Sequence, residues 1–208
     1  MLACCAFLAL TREPMEVPRL AARDLACRRG DRVLFADLSL ALDSGETCHV
    51  TGANGTGKSS LIRILAGLLR PFEGKVRRTG SIGLIDERLA LDEHMPLGRA
   101  LAFWHALDGG ADGAKGVETM QLGDLLDVPV RYLSTGQRKR ASLARLVASR
   151  SRIWLLDEPL NGLDADARGA LEALIAQHCG DGGIALVASH QPVSLPQAQV
   201  LHLPDYAA

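Results

Sequence analysis

Aromatic side chains are scarce in this sequence, with four Phe, two Tyr and two Trp among 208 residues. A hydrophobic share of 48% must then be largely aliphatic, so the core rests on many small contacts and few large rings. Charge of one sign is also missing: 23 Lys and Arg stand against 24 Asp and Glu, for a net charge of −1. No broad basic field is available to hold nucleic acid, and none is expected as a partner. Apolar runs stay well below the ~20 residues of a membrane-crossing helix, and the longest, residues 2–10, has no basic residue before it. The five cysteines (Cys4, Cys5, Cys27, Cys48 and Cys179) are odd in number and scattered, which fits neither a disulfide framework nor a zinc site. Cys27 and Cys48 lie among apolar neighbours and read as small core residues in a reducing cytoplasm.

What is present is punctuation and alternation. Twenty-one glycines imply many tight turns. Residues 1–17 read as an N-terminal extension, with Met15 offering an alternative start, and residues 18–208 as one domain, a size that supports a single core with an inserted lobe. Residues 20–27 and 33–42 read as strands around the turn at Arg29, Gly30 and Asp31, and residues 46–51 as a strand entering a glycine-rich loop. From Lys58 the period changes: Leu61, Ile62, Leu65, Leu68 and Leu69 recur at helical spacing up to Pro71. Residues 81–85 read as a strand. Residues 97–107, 117–126 and 137–148 read as helices, with residues 108–116 a glycine-rich loop and Leu143, Leu146 and Val147 facing inward. Residues 153–156 and 184–188 are short continuous apolar runs of the kind buried on both faces, and residues 165–178 read as helix. Strands alternating with helices predict a mostly parallel sheet covered on both sides.

The run Gly52, Ala53, Asn54, Gly55, Thr56, Gly57, Lys58, Ser59 matches G-x-x-x-x-G-K-[ST] between a predicted strand and a predicted helix, and Ser60 continues it into that helix. Glycines let successive backbone N–H groups turn inward around phosphate oxygens, and the helix points its positive end at the same place. The Lys58 ammonium would reach the β and γ phosphates of ATP, and the Ser59 hydroxyl would ligate Mg²⁺. Further on, an apolar strand delivers Asp157 and Glu158 to its C-terminal end, the edge of an open parallel sheet where ligands sit. Asp157 suits the Mg²⁺ shell, and Glu158 suits a general base for the attacking water.

Leu133, Ser134, Thr135, Gly136 and Gln137 resemble the LSGGQ signature of ATP-binding cassette (ABC) proteins, with Thr135 in place of the first glycine. Asn161, Gly162, Leu163 and Asp164 resemble the D-loop of that family, and His190 its switch histidine. The resemblance implies an α/β fold: a P-loop NTPase (RecA-like) core with a mostly parallel sheet, an antiparallel β part and an inserted helical subdomain at about residues 88–150. It also implies an ATPase working as a homodimer. Ser134, Gly136 and Gln137 of one copy would bind ATP held by the other, Asp164 would lie at the junction, and His190 would contact the γ phosphate and orient Glu158. Two positions depart from the family's pattern. Arg28 or Arg29 stands where an aromatic residue usually stacks on adenine; a guanidinium can also stack, and Phe35 is an alternative that reads better as core. Glu87 stands where a Mg²⁺-ligating Gln is usual.

The short chain, residues 189–192, 143–146 and 99–104 are similar to the ATP-binding subunits of the haem exporters used in cytochrome c maturation. That likeness implies a membrane permease partner of the CcmB kind docking around residues 87–107, together with haem-handling maturation proteins. The location would be peripheral, on the cytoplasmic side of a bacterial inner membrane. An ABC exporter subunit for another substrate such as a lipid or peptide, a non-transport ABC ATPase and a nucleotide sensor with little turnover stay open at this point.

Overall fold

The computed structural model describes residues 17–108 and 113–207. The apolar stretch 2–10, Cys4, Cys5 and Met15 lie outside the described residues. Strands β1 (Arg19–Arg29) and β2 (Arg32–Asp43) form a hairpin whose turn uses Gly30 at φ +60°. Strand β3 (Thr47–Thr51) leads through the glycine-rich loop into α1 (Lys58–Ala66). The helix ends earlier than its apolar spacing predicts: Gly67 adopts φ 82° and its N–H closes the last turn, which leaves Leu68 68% exposed. A left-handed glycine there ends the helix before Pro71 is reached.

Strand β4 (Glu73–Thr79) was not expected, because its residues, EGKVRRT, are mostly charged and carry no apolar alternation. It pairs antiparallel with the free side of β1, giving a three-stranded sheet in the order β2-β1-β4. Strand β5 (Ile82–Ile85) then opens the helical lobe, formed by α2 (Leu97–Asp108), α3 (Gly113–Thr119) and α4 (Thr135–Ala148). The helix expected over 117–126 is corrected: α3 begins at Gly113 within the expected loop and stops at Thr119. Gln121 takes φ 51°, and a 3-10 turn follows at Gly123–Leu125. A left-handed residue reverses the chain where apolar spacing alone suggests continuity. Strand β6 (Ile153–Asp157), α5 (Ala165–Gly180), β7 (Ile184–Ala188) and an unexpected short β8 (Gln199–His202) complete the described chain.

The second sheet is parallel throughout, in the order β5-β6-β7-β3-β8. Every residue of β6 and β7 is buried. Side chains alternate across the sheet, so Ile153 and Leu155 join a core with α1 and the antiparallel sheet, while Trp154 and Leu156 join a core with α4 and α5. Cys27, Cys48 and Cys179 are buried free thiols; burial pushes Cys48 up to about 12 and Cys179 up to about 11. Leu155 is fully buried, and Leu155→Ala is expected to cost about 2–5 kcal/mol of unfolding free energy, read from the midpoint of a urea titration. Among the described residues no helix is long and apolar enough to cross a membrane.

Candidate functional site

Strand order explains why the site forms. β6, β7 and β3 are neighbours and run the same way, so the chain leaves all three at one edge of the sheet. The three segments that leave them are the glycine-rich loop after β3, the pair Asp157 and Glu158 at the end of β6, and Ser189 and His190 after β7. Residues far apart in sequence therefore meet at the carboxyl end of a parallel sheet.

The loop is shaped by glycines with φ between +82° and +148° at Gly52, Gly55 and Gly57. Gly57 is pressed against Phe35, which is fully buried and belongs to the core. The Thr56 hydroxyl donates to the Ala53 carbonyl at 2.9 Å, and Ala53, Asn54 and Gly55 face solvent. The Lys58 side chain is buried. Its ammonium donates to the carbonyls of Gly52 at 2.7 Å and Ala53 at 3.2 Å, and pairs with Glu158 Oε1 at 3.3 Å. α1 has no side-chain cap, so the N–H groups of its first turn remain directed toward the loop. The Ser60 hydroxyl is turned away, to the Cys27 thiol.

Glu158 sits between the Lys58 ammonium and the His190 ring. Oε2 lies 2.9 Å from His190 Nδ1 and Oε1 faces Lys58. Burial is the largest influence and opposes ionisation, but the His190 hydrogen bond and the Lys58 charge outweigh it and hold the carboxyl below the ordinary 4.5. The backbone at Glu158 takes φ 45°, a left-handed conformation that a Glu rarely adopts, while its N–H donates to Ala188 at 2.8 Å. Local strain at this acid is sustained by the β6 to β7 connection. Because the folded-state value is depressed, Glu158 is already an anion through the neutral range. The acid limb of a kcat/KM profile due to Glu158 is expected below pH 4.5, measured by steady-state ATPase assays across pH.

Asp157 is 2% exposed, and burial raises its carboxyl above the ordinary range, an effect that the Ser59 hydroxyl and Lys139 reduce and the neighbouring Glu158 and Glu87 carboxylates reinforce. Its Oδ1 is buried without a hydrogen-bond partner. An unsatisfied carboxylate oxygen beside a serine hydroxyl is the donor set a hard cation takes, with water and phosphate oxygens filling the shell, so Mg²⁺ fits here. Glu87 is exposed at the end of β5, and Asp86 beside it is the inward acid, 3.6 Å from Arg63.

The Ser134 turn lies apart from this cluster in its bonding. Ser134 caps α4 by accepting the Gln137 N–H at 3.2 Å, and the Gln137 side chain accepts the Ser134 N–H at 2.8 Å. Both polar side chains thus close a capping box. Gly136 is pressed against Gly162, where a Cβ would collide with the carbonyl oxygen. Asp164 caps α5 through the Ala167 N–H at 2.8 Å. Arg28 lies over the Phe72 ring at 4.4 Å, both exposed.

Two side chains at this edge, His49 and Lys139, went unread in the sequence, and Gln191 was read only within the run 189–192. His49 on β3 is hydrogen-bonded to the backbone of Ser189, Gln191 donates to Asn161 at 3.1 Å, and Lys139 on α4 faces the Asp86, Glu87, Asp157 and Glu158 carboxylates. The alternation of β3 could have flagged His49 and helical spacing from Ser134 could have flagged Lys139, but no local pattern names their partners.

Comparison with known proteins agrees with this geometry. A family description of ABC transporters matches residues 35–161. A protein of Novosphingobium aromaticivorans named cytochrome c biogenesis ATP-binding export protein CcmA is 57% identical over 188 residues, which is 90% of this chain and 96% of that protein. The protein of the same name from Zymomonas mobilis is 52% identical over 191 residues, 91% of this chain and 86% of that one. A solved Pyrococcus furiosus structure described as an ABC transporter ATP-binding protein shares the fold, with a TM-score of 0.79 at 21% identity, over 91% of this chain and 100% of that one. With more than half its length matched and the phosphate loop, paired acids and histidine at one sheet edge, the chain belongs to the ABC transporter family, as an ATP-binding and ATP-hydrolysing subunit.

Proposed function

We propose that this chain is the ATPase subunit of a haem exporter serving c-type cytochrome biogenesis, working with a CcmB-like permease and haem-handling maturation proteins at the cytoplasmic face of the bacterial inner membrane. The pathway rests on the CcmA relatives, at 52–57% identity. Exposed Met95, Phe103 and Leu107 on the helical lobe are apolar surface suited to a permease contact around residues 87–107. Residues 18–208 are read as the ATP-binding domain, with the helical subdomain at about 88–150 and residues 1–17 as an extension.

Glu158 held between Lys58 and His190 is the observation that carries the mechanism. Residues 52–60 cradle the triphosphate with their N–H groups, and Lys58 exchanges its carbonyl contacts for phosphate oxygens. Ser59 and Asp157, with Glu87 at the margin, would hold Mg²⁺, which neutralises phosphate charge when bound. Glu158 takes the proton of the attacking water, and His190 keeps the carboxylate aimed while contacting the γ phosphate. The second half of the pocket comes from another copy: Ser134, Gly136 and Gln137 offer a helix N-terminus to the same phosphate, and Asp164 lies at the junction.

Ser134→Arg tests this shared pocket. Nucleotide binding by the single chain is expected to persist within about twofold, while turnover of the assembled transporter falls at least tenfold because the arginine blocks closure. Ser134→Ala, which removes the cap at about 1 kcal/mol without adding bulk, separates blocked closure from lost helix stability in a thermal melt. Normal turnover by Ser134→Arg in the complex would overturn the proposal. Co-purification with a membrane permease separates it from the non-transport and sensor readings, and the substrate carried separates haem from lipid or peptide export.

A further inference from the structure

The outer face of the antiparallel sheet carries an arrangement that nucleotide chemistry does not use. Register places Arg23 of β1 directly opposite Lys75 of β4, and Ala21 opposite Arg77, all on the solvent side. Like charges set opposite each other destabilise an antiparallel pair. Gly74 enforces the approach: at φ 86° it lies so close to β1 that a Cβ would collide with the carbonyl oxygens of Arg23 and Asp24. Among the described residues none of Arg23, Lys75 and Arg77 has an ion-pair partner. Of the acids nearby, Asp43 pairs with Arg19 at 3.1 Å, Asp24 at the groove's margin accepts from the Ser39 hydroxyl at 3.2 Å, and Glu73 at the start of β4 lies outside the groove lining.

Small residues hollow the surface between these cations. Ala21, Ser39, Ala41, Gly74 and Thr79 floor a groove of about 1020 Å³. Cations on an edge strand commonly keep it from pairing with another chain, which accounts for Lys75 and Arg77. Arg23 is on the middle strand, where there is no edge to guard. The groove has no aromatic lining residue on which bases could stack, and no large exposed apolar side chain to enter a lipid surface. Its concavity suits a polypeptide better than a planar membrane, and guanidinium forks match carboxylates.

We propose that this groove docks an acidic segment of a partner protein, an extended stretch rich in Asp or Glu lying across β1 and β4. The partner would leave the Lys58 and Glu158 site open, since that site lies at the edge of the other sheet. Fluorescence anisotropy of the full chain with a fluorescein-labelled peptide of ten glutamates is expected to show saturable binding at low salt. Arg23→Gln/Lys75→Gln/Arg77→Gln should weaken it about tenfold to a hundredfold, roughly two- to fivefold per lost pair. A control with the same loss of charge, Arg32→Gln/Lys115→Gln/Arg150→Gln, should stay within about twofold. ATP turnover should be unchanged in both, and the groove variant should melt no lower than the parent because opposed cations are gone. If the triple variant misfolds, Arg77→Glu alone provides the comparison, with at least a fivefold loss expected. Equal weakening by groove and control variants, absence of saturable binding, or stronger groove-dependent binding to phosphatidylglycerol vesicles or oligothymidine than to the peptide would overturn the proposal.

Discussion

Glu158→Gln is expected to lower kcat about 10²- to 10⁴-fold while nucleotide binding is kept, so that ATP-bound dimers accumulate in gel filtration. The substitution keeps shape and can keep a hydrogen bond at His190, so what is lost is a base able to take a proton. The effect is large because the site has prepared that base. Burial works against the Glu158 anion, yet the His190 hydrogen bond and the Lys58 ammonium hold it ionised, at 2.9 Å and 3.3 Å. Its left-handed backbone fixes the direction in which the side chain leaves the strand. If the variant keeps more than a tenth of parental turnover, proton abstraction by Glu158 is the wrong role.

Lys58→Ala is expected to weaken ATP binding at least tenfold and to abolish measurable turnover. A hydrogen bond to a charged group contributes about 1.5–3 kcal/mol, and Lys58 would make such contacts to phosphate. A second consequence follows from its present partners. The ammonium ties the Gly52 and Ala53 carbonyls to α1 and balances Glu158. Without it burial acts on Glu158 with less opposition and the carboxyl rises. Any residual activity should then show its acid limb at higher pH than the parent. Isothermal titration with ATP and a pH series of single turnovers read the two effects separately. Binding of ATP within twofold of the parent would remove Lys58 from the phosphate site.

Much of the pocket was legible because its parts are local. The phosphate loop is one continuous run whose glycines and lysine act through adjacent backbone groups, and the buried runs at 153–156 and 184–188 are central strands whose neighbours are apolar whichever way they face. The elements that escaped are those whose reasons are remote. β4 is a strand because β1 offers it a free edge, not because EGKVRRT prefers one. The 117–126 stretch has apolar residues at helical spacing, yet Gln121 turns the chain and those residues cap a lobe from two directions.

Roles of single residues divide in the same way. From the sequence Ser134 reads as a helix cap and a phosphate ligand; the folded chain adds that Gln137 reciprocates the cap and that Gly136 is tied to Gly162. Ser60 continues the phosphate loop in the chain but spends its hydroxyl on Cys27. The sequence by itself determined the parallel-sheet core, the phosphate-loop motif and the two acids at the end of β6, since each is specified by neighbours within a few residues. His190 is marked only by the family resemblance. Only the tertiary structure decided that Lys58, Glu158 and His190 form one bonded unit, and that Arg23 faces Lys75. Those contacts depend on strand order and register, set by burial summed over the whole chain.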